Sequence, residues 1–127
     1  MQTQPHILVA EDDADTRELV HLILQDAGFR VSVTGDPYEV IDLLASNCYD
    51  GLLLDNWMPA LSGVELCRKI RSFDQTIPIL FCSGAVAEAD KKIAFSAGAQ
   101  GYIGKPFDPG ELAATLRAAL NIAECKY

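Results

Sequence analysis

Five times along this chain a short apolar run gives way to a stretch with apolar residues at helical spacing. Ile7 to Ala10 is the first run, continuous as in a strand buried on both faces, and it ends on the acids Glu11, Asp12 and Asp13. Leu19, Val20, Ile23, Leu24 and Ala27 then recur at helical spacing, with Gly28 placed as the stop. Arg30 to Thr34 alternates valines with polar residues, which predicts an edge strand. Gly35-Asp36-Pro37 opens a second helix, with proline in its first turn and Val40, Ile41, Leu44 and Ala45 on one face. A third strand over about Gly51 to Leu54 runs into Asp55. Pro59 stops its continuation, and Ser62 with Glu65 is a capping-box signature for a third helix with Leu66, Ile70 and Phe73 expected inward. Ile79 to Cys82 is a fourth buried run, ending at Ser83-Gly84. An alanine-rich fourth helix is expected over about Ala87 to Ala97, stopped by Gly98, with Ala89, Ile93 and Ala97 inward and Phe95 on the solvent side. Gln100 to Ile103 forms a short fifth strand ending at Gly104-Lys105-Pro106. Asp108, Pro109 and Glu111 start a fifth helix with Leu112, Leu116 and Leu120 inward.

Strands alternating with helices predict an α/β fold with right-handed crossovers. The expected form is a flavodoxin-like, doubly wound sheet of five parallel strands in the order 2-1-3-4-5, with five helices. A length of 127 residues, half of them hydrophobic, suits one domain over 1–127 with a core at about 5–122, and Ala123 to Tyr127 are expected to fray. No apolar run approaches the roughly 20 residues of a membrane span, and the start Met1-Gln2-Thr3-Gln4-Pro5 lacks a secretion signal. The expectation is a cytoplasmic protein without membrane insertion. A net charge of −8 with ten scattered Lys and Arg argues against direct nucleic-acid contact. Cys48, Cys67, Cys82 and Cys125 have no C-x-x-C spacing and read as reduced structural thiols. His6 and His21 lack any partner spacing and read as surface residues, and Met58 as packing.

Chemistry enters through the strand ends. In the expected sheet, strands one, three, four and five adjoin, so their carboxyl ends bring Glu11, Asp12, Asp55, Ser83 and Lys105 to one rim, where open α/β sheets bind ligands. Crowded carboxylates repel unless a cation sits among them. Mg²⁺ suits the set best, since it takes one or two carboxylates and completes its shell with water and phosphate oxygens. Lys105 and the Ser83 hydroxyl could hold the remaining oxygens of a phosphoryl group, and a central carboxylate could be its nucleophile. The implied chemistry is acyl-phosphate formation on an aspartate.

Four motifs in this order, Ile7-Leu8-Val9-Ala10-Glu11-Asp12-Asp13, Leu52-Leu53-Leu54-Asp55-Asn56-Trp57-Met58-Pro59, Ser83-Gly84-Ala85 and Gly101-Tyr102-Ile103-Gly104-Lys105-Pro106-Phe107, resemble the receiver domain of two-component response regulators over nearly the whole chain. The resemblance implies Asp55 as phosphoacceptor, Glu11 and Asp12 as the acidic pair for Mg²⁺, and the Trp57 backbone carbonyl as a further metal ligand. It also implies Ser83 and Lys105 on the phosphoryl oxygens and a cis Lys105-Pro106 bond. Ser83 and Tyr102 match the family's switch positions, which couple phosphorylation to the surface of helix four, strand five and helix five. The donor would be a phosphohistidine on a sensor histidine kinase or histidine phosphotransfer protein, and the target a downstream protein effector. The module would act as a monomer or a phosphorylation-dependent dimer. It would not be a turnover enzyme in the usual sense, since it catalyses only its own aspartyl phosphorylation and dephosphorylation. Asp13 is the alternative acid, because three acids follow strand one. The Glu11 and Asp12 register is preferred because the apolar run ends at Ala10 and because Arg17 matches a frequent family arginine only there.

Two other classes compete. Asp13-Ala14-Asp15-Thr16 matches the D-x-D-T signature of haloacid-dehalogenase-type phosphatases, in which Asp13 and Asp15 would act, but that reading leaves Asp55 and Lys105-Pro106 unexplained. A phosphate-independent receiver-like adaptor would be expected to lack one of the acids or the lysine, and all are present. The chain stops after its fifth helix, so the expectation is a module signalling to a separate protein. Trp57 flanks the path to the phosphoryl group, where it would slow water or a phosphatase while small Ala85 leaves the opposite side open.

Overall fold

The computed structural model describes residues 4–84 and 88–124, the last four as backbone only. Along the chain lie β1 (His6–Ala10), α1 (Ala14–Asp26), β2 (Arg30–Thr34), α2 (Pro37–Ser46), β3 (Gly51–Leu54), α3 (Gly63–Arg71), β4 (Ile79–Ser83), α4 (Glu88–Ser96), β5 (Gly101–Gly104) and α5 (Pro109–Glu124). All strand pairs are parallel, and the sheet order is β2-β1-β3-β4-β5, as the alternation predicts. Among the described residues, no helix is long and apolar enough to cross a membrane.

The period-two alternation of strand side chains divides the core into two layers. Leu8, Leu52, Leu54, Ile79 and Phe81 face one way, against Val40 of α2, Leu66 and Ile70 of α3, and Ala94 of α4. Ile7, Val9, Leu53, Leu80 and Ile103 face the other, against Val20 and Leu24 of α1 and Leu112, Leu116 and Leu120 of α5. Burial on both faces is why the inner strands read as unbroken apolar runs; edge strand β2 is more open, with Val31 half-buried, Val33 exposed and Thr34 buried.

Helix starts follow the cap chemistry. Asp13 accepts from the Thr16 N–H at 2.9 Å, Asp36 from Tyr38 at 2.9 Å and Asp108 from Glu111 at 2.9 Å. Ser62 and Glu65 form the full capping box, with the Glu65 N–H on Ser62 Oγ at 3.1 Å and the Ser62 N–H on Glu65 Oε1 at 3.4 Å.

The inner faces of four helices differ from the sequence reading; in α2, Ala45 is exposed and Leu43 packs against the core beside Val40, Ile41 and Leu44. Phe73 is 53% exposed, because α3 ends at Arg71 and the helical period no longer carries to it. Val64, Leu66, Cys67 and Ile70 form the real face. Leu19 is 51% exposed: α1 presents Val20 and Leu24 to the sheet and leaves Leu19 on its flank, over a groove shared with Lys105, Pro106 and Phe107. In α4 the buried residue is Ala94, followed by buried Ala97 just past the helix end, whereas Ala89 is exposed and Ile93 and Phe95 flank the contact, each 47% exposed. Small alanines let α4 lie close to its neighbours, and that close packing sets the rotation of the helix. His6 is half-buried and partnered, with Nε2 2.7 Å from Ser32 Oγ and its ring against Tyr49. Cys67 and Cys82 are buried free thiols and Cys48 is exposed. Strand β5 is shifted one residue from its expected bounds, and α5 continues through Glu124. The expectations for Ala85, for a helix start at Ala87 and for Cys125 and the last residues fall outside the described part.

Candidate functional site

Strand register builds the site. Ala10 pairs with Leu54, so the next residues, Glu11 and Asp55, leave the sheet side by side, and the Asp55 N–H still bonds the Ala10 carbonyl at 3.0 Å. Ser83 pairs with Gly104 at the ends of β4 and β5, and the Lys105 N–H bonds the Ser83 carbonyl at 2.9 Å. The Lys105-Pro106 peptide is cis.

Around these ends the charges are close and unequal. Glu11, Asp12 and Asp55 each offer a carboxylate oxygen, and the three atoms lie within 4.8 Å of one another. Glu11 and Asp55 are buried, while Asp12 is exposed. Lys105 Nζ sits 2.6 Å from Glu11 Oε1 and 3.6 Å from Asp55 Oδ1. One ammonium thus lies against two of the three acids. Burial pushes the Glu11 carboxyl up to about 7; the Lys105 bond opposes this, and neighbouring Asp55 adds to it. For Lys105, burial disfavours the charge, but the Glu11 and Asp55 carboxylates outweigh it and hold the pKa above the ordinary lysine value. A carboxyl titrating that high marks a charge costly to keep where burial and a second carboxylate both oppose it. An all-oxygen donor set of this spacing and charge fits a hard divalent cation such as Mg²⁺.

Asp13 lies outside this cluster. It is spent as the α1 N-cap, bonded to the Thr16 N–H at 2.9 Å and the Thr16 hydroxyl at 2.6 Å, and these bonds hold its carboxyl below the usual range. Asp15 is exposed in the first turn. Neither Asp13 nor Asp15 belongs to the carboxylate cluster around Asp55. Trp57 donates its N–H to Asp55 Oδ1 at 3.2 Å, and its indole is 64% exposed. Ser83 is fully buried. Tyr102 is half-buried and lies parallel to its register partner Phe81, ring centroids 6.0 Å apart.

Gly63 escaped the sequence reading. A Cβ there would lie 2.7 Å from the Asp55 carbonyl oxygen and 2.9 Å from Asn56 Cα, so α3 can begin against the backbone of the site only with glycine. The Gly63 N–H bonds the Asn56 carbonyl at 3.2 Å, and Asn56 Oδ1 accepts from the Val64 N–H at 3.3 Å, closing the loop behind Asp55. The available signal was a glycine in the first helical position after a strong cap, where a poor helix former needs a packing reason.

Known proteins agree with this arrangement. The family model described as "Response regulator receiver domain" matches residues 7–117. The transcriptional regulatory protein CseB of Streptomyces avermitilis is 38% identical over 121 residues, covering 95% of this chain and 51% of CseB. The chain spans about half the length of the curated relatives it matches. Among solved structures, chemotaxis response regulator CheY4 of Vibrio cholerae has a TM-score of 0.86 at 29% identity, covering 92% of this chain and 99% of that one. The receiver domain of sensor histidine kinase PA1611 from Pseudomonas aeruginosa, solved with magnesium coordinated in its active-site cleft, has a TM-score of 0.86 at 26% identity, covering 94% and 99%.

Proposed function

This chain belongs to the response regulator receiver domain family, and from that premise we propose that Asp55 is its phosphoacceptor and that the module carries a phosphoryl signal between proteins. The observation that carries the reading is the convergence of Glu11, Asp12 and Asp55 within 4.8 Å, with Lys105 on Glu11 and beside Asp55. A carboxylate oxygen of Asp55 attacks the phosphorus of a phosphohistidine. An O–P bond forms as the P–N bond breaks, and the electron pair leaves on the imidazole nitrogen, which takes a proton from solvent. Bound Mg²⁺, held by Glu11, Asp12, Asp55 and the Trp57 carbonyl, would supply neutralising charge for the phosphoryl oxygens. Lys105 moves the short way from Glu11 to a phosphoryl oxygen, and the Ser83 hydroxyl turns to another. Hydrolysis by water returns Asp55 to the free acid.

The donor is a sensor histidine kinase or histidine phosphotransfer protein in the cytoplasm, and the output passes to a protein effector through α4, β5 and α5. As Ser83 engages the phosphoryl group, Tyr102 shifts against Phe81 and alters that surface. Tyr102 ring resonances unmoved by phosphorylation would remove this part. Incubation with Mg²⁺ and acetyl phosphate, read by intact mass, tests the whole. The expected result is one phosphoryl adduct per chain, dependent on Mg²⁺ and absent in Asp55→Asn. Adduct formation in Asp55→Asn equal to wild type would reject Asp55 as the acceptor.

A further inference from the structure

Glu11 and Asp12 are useful to a cation only if their backbone is fixed, because Asp12 is exposed and its carboxylate reaches the cluster from the solvent side. Arg17, one turn into α1, folds its side chain back over the loop. Its Nη1 donates to the Glu11 carbonyl at 2.9 Å and reaches the Asp12 carbonyl at 3.4 Å. Across the strand pair, the Glu11 N–H bonds the Thr34 carbonyl at 3.0 Å. Glu11 is thus held on both sides of its α-carbon, by β2 through the N–H and by Arg17 through the C=O.

The guanidinium has a seat. Gly35, the residue after Thr34, lies directly beneath it: a Cβ at Gly35 would collide with Arg17 Nη1 and stand 3.3 Å from Cζ, with the Glu11 carbonyl oxygen at 3.6 Å. Gly35 does not have a left-handed backbone; among the described glycines only Gly28 and Gly98 have positive φ. Conformation therefore does not demand glycine here. Space for the guanidinium does.

We infer that Arg17, seated on Gly35, is a positioning residue that fixes the Glu11–Asp12 backbone so that both carboxylates face the cation they share with Asp55. The inference rests on the reading of this cluster as a Mg²⁺ site. Charge alone predicts the opposite sign: a guanidinium beside an acidic cluster repels Mg²⁺, and removing it would tighten binding. Removing a clamp weakens binding, by about tenfold for a group that orients metal ligands without touching the metal.

Calorimetric titration with MgCl₂ at one fixed, mildly alkaline pH separates the two. Arg17→Ala is expected to weaken Mg²⁺ binding about tenfold. Gly35→Ala, which leaves every charge in place and only evicts the guanidinium, should weaken it in the same direction. The double variant should be no weaker than Arg17→Ala alone. Arg17→Lys should recover little, since an ammonium lacks the flat guanidinium that lies over Gly35 while its Nη1 reaches the carbonyls. Melting temperatures measured without Mg²⁺ check folding. If Arg17→Ala does not fold, Gly35→Ala decides, because its new methyl meets a movable side-chain end. The inference is overturned if Arg17→Ala binds as tightly as wild type or tighter, or if Gly35→Ala binds as wild type does. Absence of heat in the wild type overturns the Mg²⁺ reading beneath it, whereas wild-type binding with indifferent variants overturns the clamp alone.

Discussion

Each rim of the sheet is organised by one cation, and the two rims use it differently. At the amino-terminal rim, Arg71 of α3 donates to the carbonyls of Gly98, Asp74 and Ile77 and to Gln100 Oε1, at 2.8 to 3.1 Å. Gln100 Oε1 also accepts the first N–H of β4 at 2.6 Å. Each of these bonds ends on a neutral oxygen, so the guanidinium spends its N–H donors tying α3, the α3–β4 loop and the α4–β5 loop together. At the carboxyl-terminal rim, Lys105 lies against two carboxylates, Glu11 and Asp55, and burial, with Asp55 adding to it, pushes the Glu11 carboxyl up to about 7. A rim whose polar groups are saturated holds the fold. One whose charges are left short holds a site, because a ligand can supply what the protein withholds.

The sharpest way to break this contrast is to remove Arg71. Arg71→Ala strands several half-buried carbonyls, and urea denaturation should register a loss of about 2–3 kcal/mol. Phosphoryl uptake per folded molecule should stay at the wild-type level, and a specific loss of uptake would mean that the two rims are not separable. The next effect is on pH dependence. The folded pKa of Glu11 lies above its ordinary value, so without divalent cation the native state binds more protons than the unfolded state between about 4.5 and about 7. This group's contribution to stability is therefore full below that window and is lost as pH rises through it. His6, whose pKa burial lowers, works the other way. Melting temperatures of Glu11→Gln against wild type isolate the Glu11 part: the wild type should lose ground to the variant as pH rises, and parallel curves would contradict the charge imbalance. The smallest effect is expected at Trp57, which is mostly exposed. Trp57→Asn should change stability by less than about 0.5 kcal/mol but speed loss of the phosphoryl group. An unchanged dephosphorylation rate would take the indole out of the site.

Much of the scaffold is local enough to read from one dimension. Buried strands announce themselves by unbroken apolar runs, caps by Asp36, Ser62 and Asp108, and strand ends by the acids, hydroxyl and lysine that follow the runs. Inner faces were harder. α4 carries apolar residues on more than one side, so its period fits two rotations, and only packing through Ala94 and Ala97 chose between them. Phe73 kept the helical rhythm on paper, yet α3 had already ended at Arg71.

By itself, then, the sequence determined the strand order, the five residues at the rim and the chemistry they permit, because each follows from alternation and from what stands at the end of a run. Tertiary structure brought Glu11 and Asp12, the pair the sequence preferred, within reach of Asp55 and showed Asp13 bonded as the α1 cap. It also decided that Lys105 rests on Glu11 rather than Asp55, and that Arg17 and Gly35 meet across two loops. The reason is physical: periodicity is a property of neighbours in the chain, whereas charge balance and close approach are properties of neighbours in space.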